Sequence, residues 1–269
     1  LKVQWTQPKI GPLLRGERDA RLYLGLFNAE GYVRGWRKWI ALARRPRVSE
    51  YDSAGVRRVL DRRRGVVLFT GMQGMFEPLL NHRDLVREHL LAMLSSRVKA
   101  QLSAARGADD RYIGVHVRRG DTVALQYGEP FPSGPGNRGQ PIEWFVRAVQ
   151  SVRQALGGPK PVRIFSDGSD AELAPLLALE NVARSLDHPS IVDLLLMARS
   201  QVLITTSNSS FSMWAAYLGG MPSVWYAGKG QTLAPDAPGL ETDLTGNICD
   251  PNALASWMAR TNASGVQQL

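Results

Sequence analysis

One cysteine stands in 269 residues, Cys249, so the chain forms no internal disulfide and no cysteine metal cluster. Histidine is scarce too. The four, His82, His89, His116 and His188, fall into no HExxH or comparable metal-ligand spacing. No apolar run is long enough to span a bilayer, and no signal-peptide pattern opens the chain at Leu1. These absences fit a reducing compartment, and the expected location is cytoplasmic. There is no Walker A sequence and no GxGxxG after a strand, which argues against a P-loop ATPase or a dinucleotide oxidoreductase.

What the chain does have is basic charge, unevenly placed. Of its net +9, residues 1–110 carry 21 Lys/Arg against 11 Asp/Glu, whereas residues 111–269 carry 12 against 13. Between residues 34 and 64, 11 basic residues face 3 acidic ones. Such a stretch marks a nucleic-acid, anionic-lipid or anionic-substrate partner, or it is a solvated helical face, the commoner case. In "YVRGWRKWIALARRPR" (32–47), Trp36, Trp39 and Ile40 fall near one face, with Arg34, Arg37, Lys38, Arg44, Arg45 and Arg47 around it. That is the pattern of a helix lying on a membrane surface. The alternative buries the tryptophans in a core and leaves the arginines solvated.

Strand-like runs occur at Tyr112–Val117, Val162–Ser166, Val202–Thr206 and Ser223–Tyr226. Helical patterns accompany them at about Pro141–Leu156, Asp170–Leu179, Pro189–Ser200 and Ser209–Gly220. This alternation implies βαβ units and a mostly parallel, doubly wound sheet. Upstream, "GVVLFTGMQGMF" (65–76) holds one strand, Asp84–Ala105 reads as one long helix, and 28–45 as an amphipathic helix. The segment "QYGEPFPSGPGNRG" (126–139), with three Pro and four Gly, reads as a mobile loop placed where a lid would be useful.

Three of the strands end in polar clusters, and ligands of open α/β sheets bind at the carboxyl ends of strands. "VHVRRGD" (115–121) sets Arg118 beside Arg119 after a buried run. Paired guanidiniums there suit a phosphate gripped by bidentate forks, or else mark a solvated turn. "RIFSDGSD" (163–170) offers Asp167 and Asp170, to accept from a base or sugar or to cap the next helix. "VLITTSNSSFSMWAAYLGG" (202–220) leads a strand through hydroxyl residues into a helix. That is a ready anion site, or a serine-rich cap on a core helix. Along one sheet edge, the three together describe a nucleotide-diphosphate pocket. No DxD occurs, so arginines rather than a divalent metal must neutralise the diphosphate of a nucleotide-sugar.

"VHVRRGD", "IFSDG" (164–168) and "DLLLMARSQVLITTSNSSFSMWAAYL" (193–218) resemble, in order and spacing, the motifs of GDP-fucose-dependent fucosyltransferases. The likeness is greatest to the bacterial α-1,2-fucosyltransferases of glycosyltransferase family 11. Weaker echoes lie in "RLYLGLFN" (21–28) and "GMQGMFEPL" (71–79). The resemblance implies an α/β, GT-B-type fold of two Rossmann-like domains, an acceptor-side domain at 1–108 and a GDP-fucose-binding domain at 109–269. It implies an inverting enzyme that moves fucose from GDP-fucose to a glycan hydroxyl, α-1,2 to a galactoside. The alternatives are α-1,6 or protein-O linkage, or sugar-nucleotide binding without catalysis. Neither a metal nor a nucleic-acid partner is expected. A peripheral contact with the inner face of the membrane follows if the basic helix docks on anionic lipid.

By position, the resemblance gives Arg118 and Arg119 the β-phosphate, with Arg119 the stronger candidate. It gives His116 the guanine or ribose, Asp167 the guanine or its ribose, and Ser209, Ser210 and Phe211 the diphosphate. Asp121 would brace the arginines or take the acceptor's proton, with Glu129 and Glu143 as further candidates for the base. Two departures stand out. The family pattern has a second Asp after "FSD", where this chain has Gly168, which leaves the guanine contact to Asp170. The glycine-rich strand and loop that open the family (of the GGLGNQ kind) are absent, so the first domain is expected to lack them.

Overall fold

A strand covered on both faces reads apolar along its length, and Ile113–Val117 is buried at all five positions. The computed structural model describes residues 23–28, 33, 35–62, 64–69, 76–105, 111–120, 122–132 and 138–264. The chain divides into two compact units, Leu1–Glu77 and Pro78–Leu269.

The first unit holds α1 (Tyr23–Leu26), α2 (Gly35–Arg44), β1 (Arg47–Ser49), α3 (Ser53–Arg62) and β2 (Val66–Leu68). β1 and β2 pair in parallel, Arg47 opposite Val66 and Ser49 opposite Leu68, with α3 as the crossover. Asp52 starts α3, its Oδ1 accepting the Gly55 N–H at 2.8 Å. α2 and β2 fall inside the expected helix and strand. β1 and α3 are additional. The three residues of β1 are too few for their alternation to stand out, and α3 is too rich in arginine for its apolar stripe to do so. The echo at 71–75 and the segment 1–22, where the first strand and glycine-rich loop were in question, lie outside the described residues.

After a 3-10 helix at Glu77–His82, the second unit continues with α4 (Arg83–Met93) and α5 (Ser96–Ala104), where the apolar pattern alone reads as one helix. The break has a local cause. Leu94 adopts extended backbone and is 2% exposed, and Ser95 Oγ accepts the Val98 N–H at 3.4 Å, capping α5. Both helices, on the acceptor side of the expected boundary at 108, are part of this second unit.

There follow β3 (Ile113–Val117), β4 (Val123–Ala124), β5 (Arg138–Gly139), α6 (Ile142–Ala155), β6 (Val162–Ser166), α7 (Asp170–Leu177) and β7 (Val182–Arg184). Then come α8 (Ser190–Met197), β8 (Val202–Ile204), α9 (Ser210–Gly219), β9 (Ser223–Trp225), β10 (Gly239–Glu241) and α10 (Pro251–Ser264). Six strands form one parallel sheet in the order β10-β9-β8-β3-β6-β7. β3 lies at its centre, Val115 opposite Ile164 of β6 and Ile204 of β8. Counted along the chain from β3 this is the doubly wound, Rossmann-like order. The winding reverses between β3 and β8, and a crevice opens where those two strands end.

All the strands and helices expected from 112 to 226 are present, each within a few residues of its expected span. β4, β5, β7, β10 and α10 add to them. Two of the three β7 residues are exposed at the sheet edge, so no apolar run betrays it. α6 buries Trp144, Ala148 and Val152 on one stripe beside Phe145 and Val149. α8 and α9 pack so closely that a Cβ on Gly219 would stand 2.3 Å from the Ala198 carbonyl oxygen. Only glycine fits there.

The 126–139 segment is pinned along its described residues rather than loose. The Leu125 N–H reaches the Gly139 carbonyl at 2.9 Å, and Tyr127 Oη donates to Thr245 O at 3.0 Å. Tyr226 Oη donates to Glu129 O at 2.6 Å.

Candidate active site

β3 and β8 leave the sheet side by side, and their last backbone groups have no further strand to pair with. Hydroxyl groups serve instead. Thr206 Oγ1 donates to His116 O at 2.6 Å and accepts the Arg118 N–H at 3.1 Å. Ser212 Oγ accepts the Thr206 N–H at 3.1 Å and lies 2.7 Å from His116 Nδ1. Thr205 Oγ1 donates to Val224 O at 2.7 Å. Much of the hydroxyl content of 202–220 therefore holds backbone.

His116 is 8% exposed, with its ring 5.4 Å from that of Phe211. Burial pushes its pKa down to about 4, against the pull of Asp167, and Arg118 adds to the fall. The imidazole is neutral at pH 7 and braces the start of α9 through Ser212.

Arg119 is held from several sides. Its N–H donates to Asp167 Oδ1 at 2.7 Å, and Gly120 N–H donates to Asp167 Oδ2 at 3.2 Å. The carboxylate placed by sequence at the guanine or ribose thus shapes the turn that carries the arginines. Arg119 Nη1 donates to Gln140 O at 3.0 Å, while its buried Nε has no hydrogen-bond partner among the described residues. Burial lowers the pKa of Arg119, with Glu172, Glu143 and Asp167 acting against that. A Cβ on Gly168 would stand 2.9 Å from Arg119 Cγ, so the side chain crosses a position that glycine leaves open.

Asp170, the substitute candidate for the guanine, is paired with Arg184 at 2.5 Å, and Arg184 Nη2 also donates to Gly168 O at 2.7 Å. Neither aspartate caps α7. Ser169 does, in a capping box with Glu172.

α9 starts at Ser209, whose buried Oγ makes no capping bond and has no partner among the described residues. The first-turn N–H groups of a helix have no intrahelical acceptor, and the helix dipole favours an anion there. Ser210 is exposed and Phe211 half-buried beside them. The structure thus gathers His116, Arg118, Arg119, Asp167, Ser209, Ser210 and Phe211 around the ends of β3, β6 and β8. Asp121 lies outside the described residues, and Glu129 and Glu143 are exposed.

Gln140 joins this set without any mark in the sequence, since it is a lone glutamine after a Gly/Pro-rich stretch. Among the described residues no group of three or more His, Cys, Asp or Glu is placed to hold a metal ion. A cleft of about 360 Å³ lined by Asn81, His82, Arg83, Asp84 and Asp236 shares none of these residues.

Among solved structures the chain is similar to the fucosyltransferase NodZ from Bradyrhizobium, with 20% identity over 47% of this chain and 43% of that one, TM-score 0.32. It is similar to POFUT1 in complex with GDP-fucose, with 17% identity over 54% and 46%, TM-score 0.32. The E. coli ADP-heptose lps heptosyltransferase II gives 14% identity over 64% and 53%, TM-score 0.37. The chain spans less than half the length of these two fucosyltransferases. No curated protein matches it in sequence. The sequence pattern of glycosyl transferase family 11 matches residues 69–238, more than half the chain. With all three strand-end motifs inside that match, the chain belongs to glycosyl transferase family 11.

Proposed function

We propose that the protein is a GDP-fucose-dependent fucosyltransferase of the GT-B type, transferring fucose with inversion to a glycan hydroxyl, α-1,2 to a galactoside. The observation that carries this reading is the buried Nε of Arg119, unpartnered among the described residues, beside the switch-point crevice at the uncapped start of α9. An unpaired buried donor is costly, and a diphosphate would satisfy it. As the acceptor oxygen attacks the anomeric carbon from the far face, the bond from that carbon to the β-phosphate oxygen breaks. GDP leaves with the electron pair. Arg118, Arg119 and the N–H groups of α9 meet that growing charge, so they stabilise the transition state more than the ground state. Asp121 is the candidate to take the acceptor's proton. Calorimetric titration with GDP, then a release assay with GDP-fucose and a panel of galactosides, tests the reading. Binding and transfer are expected. Binding without turnover would leave a sugar-nucleotide-binding protein, and salt-steep binding to nucleic acid alone would overturn the reading.

Fucosyl transfer is expected to proceed at an unchanged rate in EDTA, because guanidiniums and a helix start carry the diphosphate. A rate that collapsed under chelation and returned with manganese would overturn metal independence.

The same protein, placed in the cytoplasm, would touch the anionic inner leaflet through α2. Trp36 and Trp39 are 68% and 70% exposed, so neither is core. Arg37 lies 5.6 Å from the Trp36 ring and Lys38 5.9 Å from that of Trp39. Among the described residues no helix is long and apolar enough to cross a membrane. Each basic residue near an anionic surface adds about 1 kcal/mol. Sedimentation with anionic vesicles at low salt is expected, lost at high salt and on changing Arg44 and Arg45 to Glu. Arg47 is left intact, because its Nε donates to Leu42 O at 2.9 Å near the end of α2. Failure to sediment at low salt would leave α2 a solvated face.

A further inference from the structure

Gln140 is 1% exposed and sits between β5 and α6, where the 126–139 segment returns to the sheet. Its main-chain carbonyl accepts Arg119 Nη1 at 3.0 Å. Its side chain grips the exit of β8. Nε2 donates to Thr205 O at 2.9 Å and Ser207 Oγ at 3.2 Å, and Oε1 accepts the Ser207 N–H at 3.2 Å. The amide orientation is fixed, since its nitrogen meets a carbonyl and its oxygen meets an N–H. One buried residue therefore ties the guanidinium that follows β3 to the loop that starts α9.

We propose that Gln140 is a positioning residue of the donor site, setting Arg119 and the start of α9 at the spacing of one diphosphate. The proposal rests on the donor-site reading above. Asp167 fixes the backbone of Arg119, but among the described residues only the Gln140 carbonyl is bonded to its guanidinium. If the amide slackens, the 205–207 loop and the carbonyl under Arg119 move independently. Both donors then meet the leaving group at the wrong distance. The loss appears in kcat, because misplaced charge matters most when the leaving group is most negative.

Gln140→Met keeps the volume and the main-chain carbonyl while removing three side-chain hydrogen bonds. It is expected to lower kcat for fucosyl transfer at least about tenfold, within the roughly hundredfold that a 1 Å misplacement can cost, with KM for GDP-fucose changing far less. In an Arg119→Ala background the same change is expected to cost clearly less, because the share that acts through Arg119 is already lost and only the displaced start of α9 remains. Unchanged kcat, or an equal cost in both backgrounds, overturns the proposal. Gln140→Glu covers the case in which the methionine variant fails to fold. A protonated carboxyl can donate to Thr205 O and accept from Ser207 N–H, so its kcat relative to wild type should rise as pH falls. A flat ratio overturns the proposal equally. Wild-type protein that neither binds GDP nor transfers fucose would instead sink the donor-site reading, and that result is in hand before any variant is made.

Discussion

Arg119→Ala is expected to lower fucosyl transfer by about a hundred- to thousandfold, the usual cost of losing one preorganised donor to a developing anion. The fold should survive. The backbone N–H that Asp167 holds is still present in alanine, and the guanidinium makes one hydrogen bond among the described residues, to Gln140 O. Arg119→Lys should fail nearly as badly, because an ammonium point charge does not reproduce a planar fork. Steady-state rates with GDP-fucose, beside a thermal melt, check both. A variant keeping more than about a tenth of the wild-type rate would remove Arg119 from the leaving-group site.

Asp193→Asn is expected to change how stability depends on pH, by on the order of 4 kcal/mol between pH 4 and pH 8. Asp193 lies in the first turn of α8, 24% exposed, and burial pushes its pKa up to about 7. The Ser185 hydroxyl, 3.4 Å away, and the charge of Arg163 oppose that rise, whereas Asp187 adds to it. His188 Nδ1 stands 3.5 Å from the same carboxylate. The folded protein holds this proton more tightly than the unfolded chain. The resulting stability is complete below about pH 4 and is lost as pH rises through about 7. His116 acts in the opposite sense. Its folded pKa of about 4 lies below the ordinary 6.5, so its contribution is present above 6.5 and is lost as pH falls through 4. Between about pH 4 and 6.5 the two slopes cancel, and the wild type should be nearly level. Urea unfolding of variant and wild type across that range isolates Asp193. The variant-minus-wild-type difference should climb with pH, and a flat difference would remove the penalty assigned to the buried carboxylate.

The central sheet was legible because β3, β6, β8 and β9 are paired on both sides and mostly buried, so they read as largely apolar runs, broken in β6 by Arg163 and in β3 by His116. β7 was not, because an edge strand with two exposed residues looks like loop. The break between α4 and α5 was hidden for another reason. Ser95 in the middle of an apolar pattern becomes a cap only when its backbone leaves helical geometry. The site was legible as a set of residue types, but not in the hydrogen bonds that hold those residues in place. Sequence shows that Asp167 follows a strand; it does not show that both its oxygens are spent on the Arg119–Gly120 turn. Gln140 was invisible altogether, because its importance lies in what its carbonyl touches 21 residues away and its amide 65 and 67 residues away.

The sheet order also governs how the chain must be made. The central strand, Ile113–Val117, emerges from the ribosome before either neighbour. Its pairing with Val162–Ser166 covers one edge, but the other stays open until Val202–Ile204 has been synthesised. Until then a nascent chain carries a largely apolar strand with one row of unpaired peptide groups, the configuration most prone to pair with a second copy. Truncations ending ahead of Ile204 inherit that open edge permanently, whereas chains reaching Trp225 close it. Slow, parallel, long-range pairing of this kind favours a low concentration of nascent chains, because the interval of exposure is set by translation rather than by the stability of the finished fold.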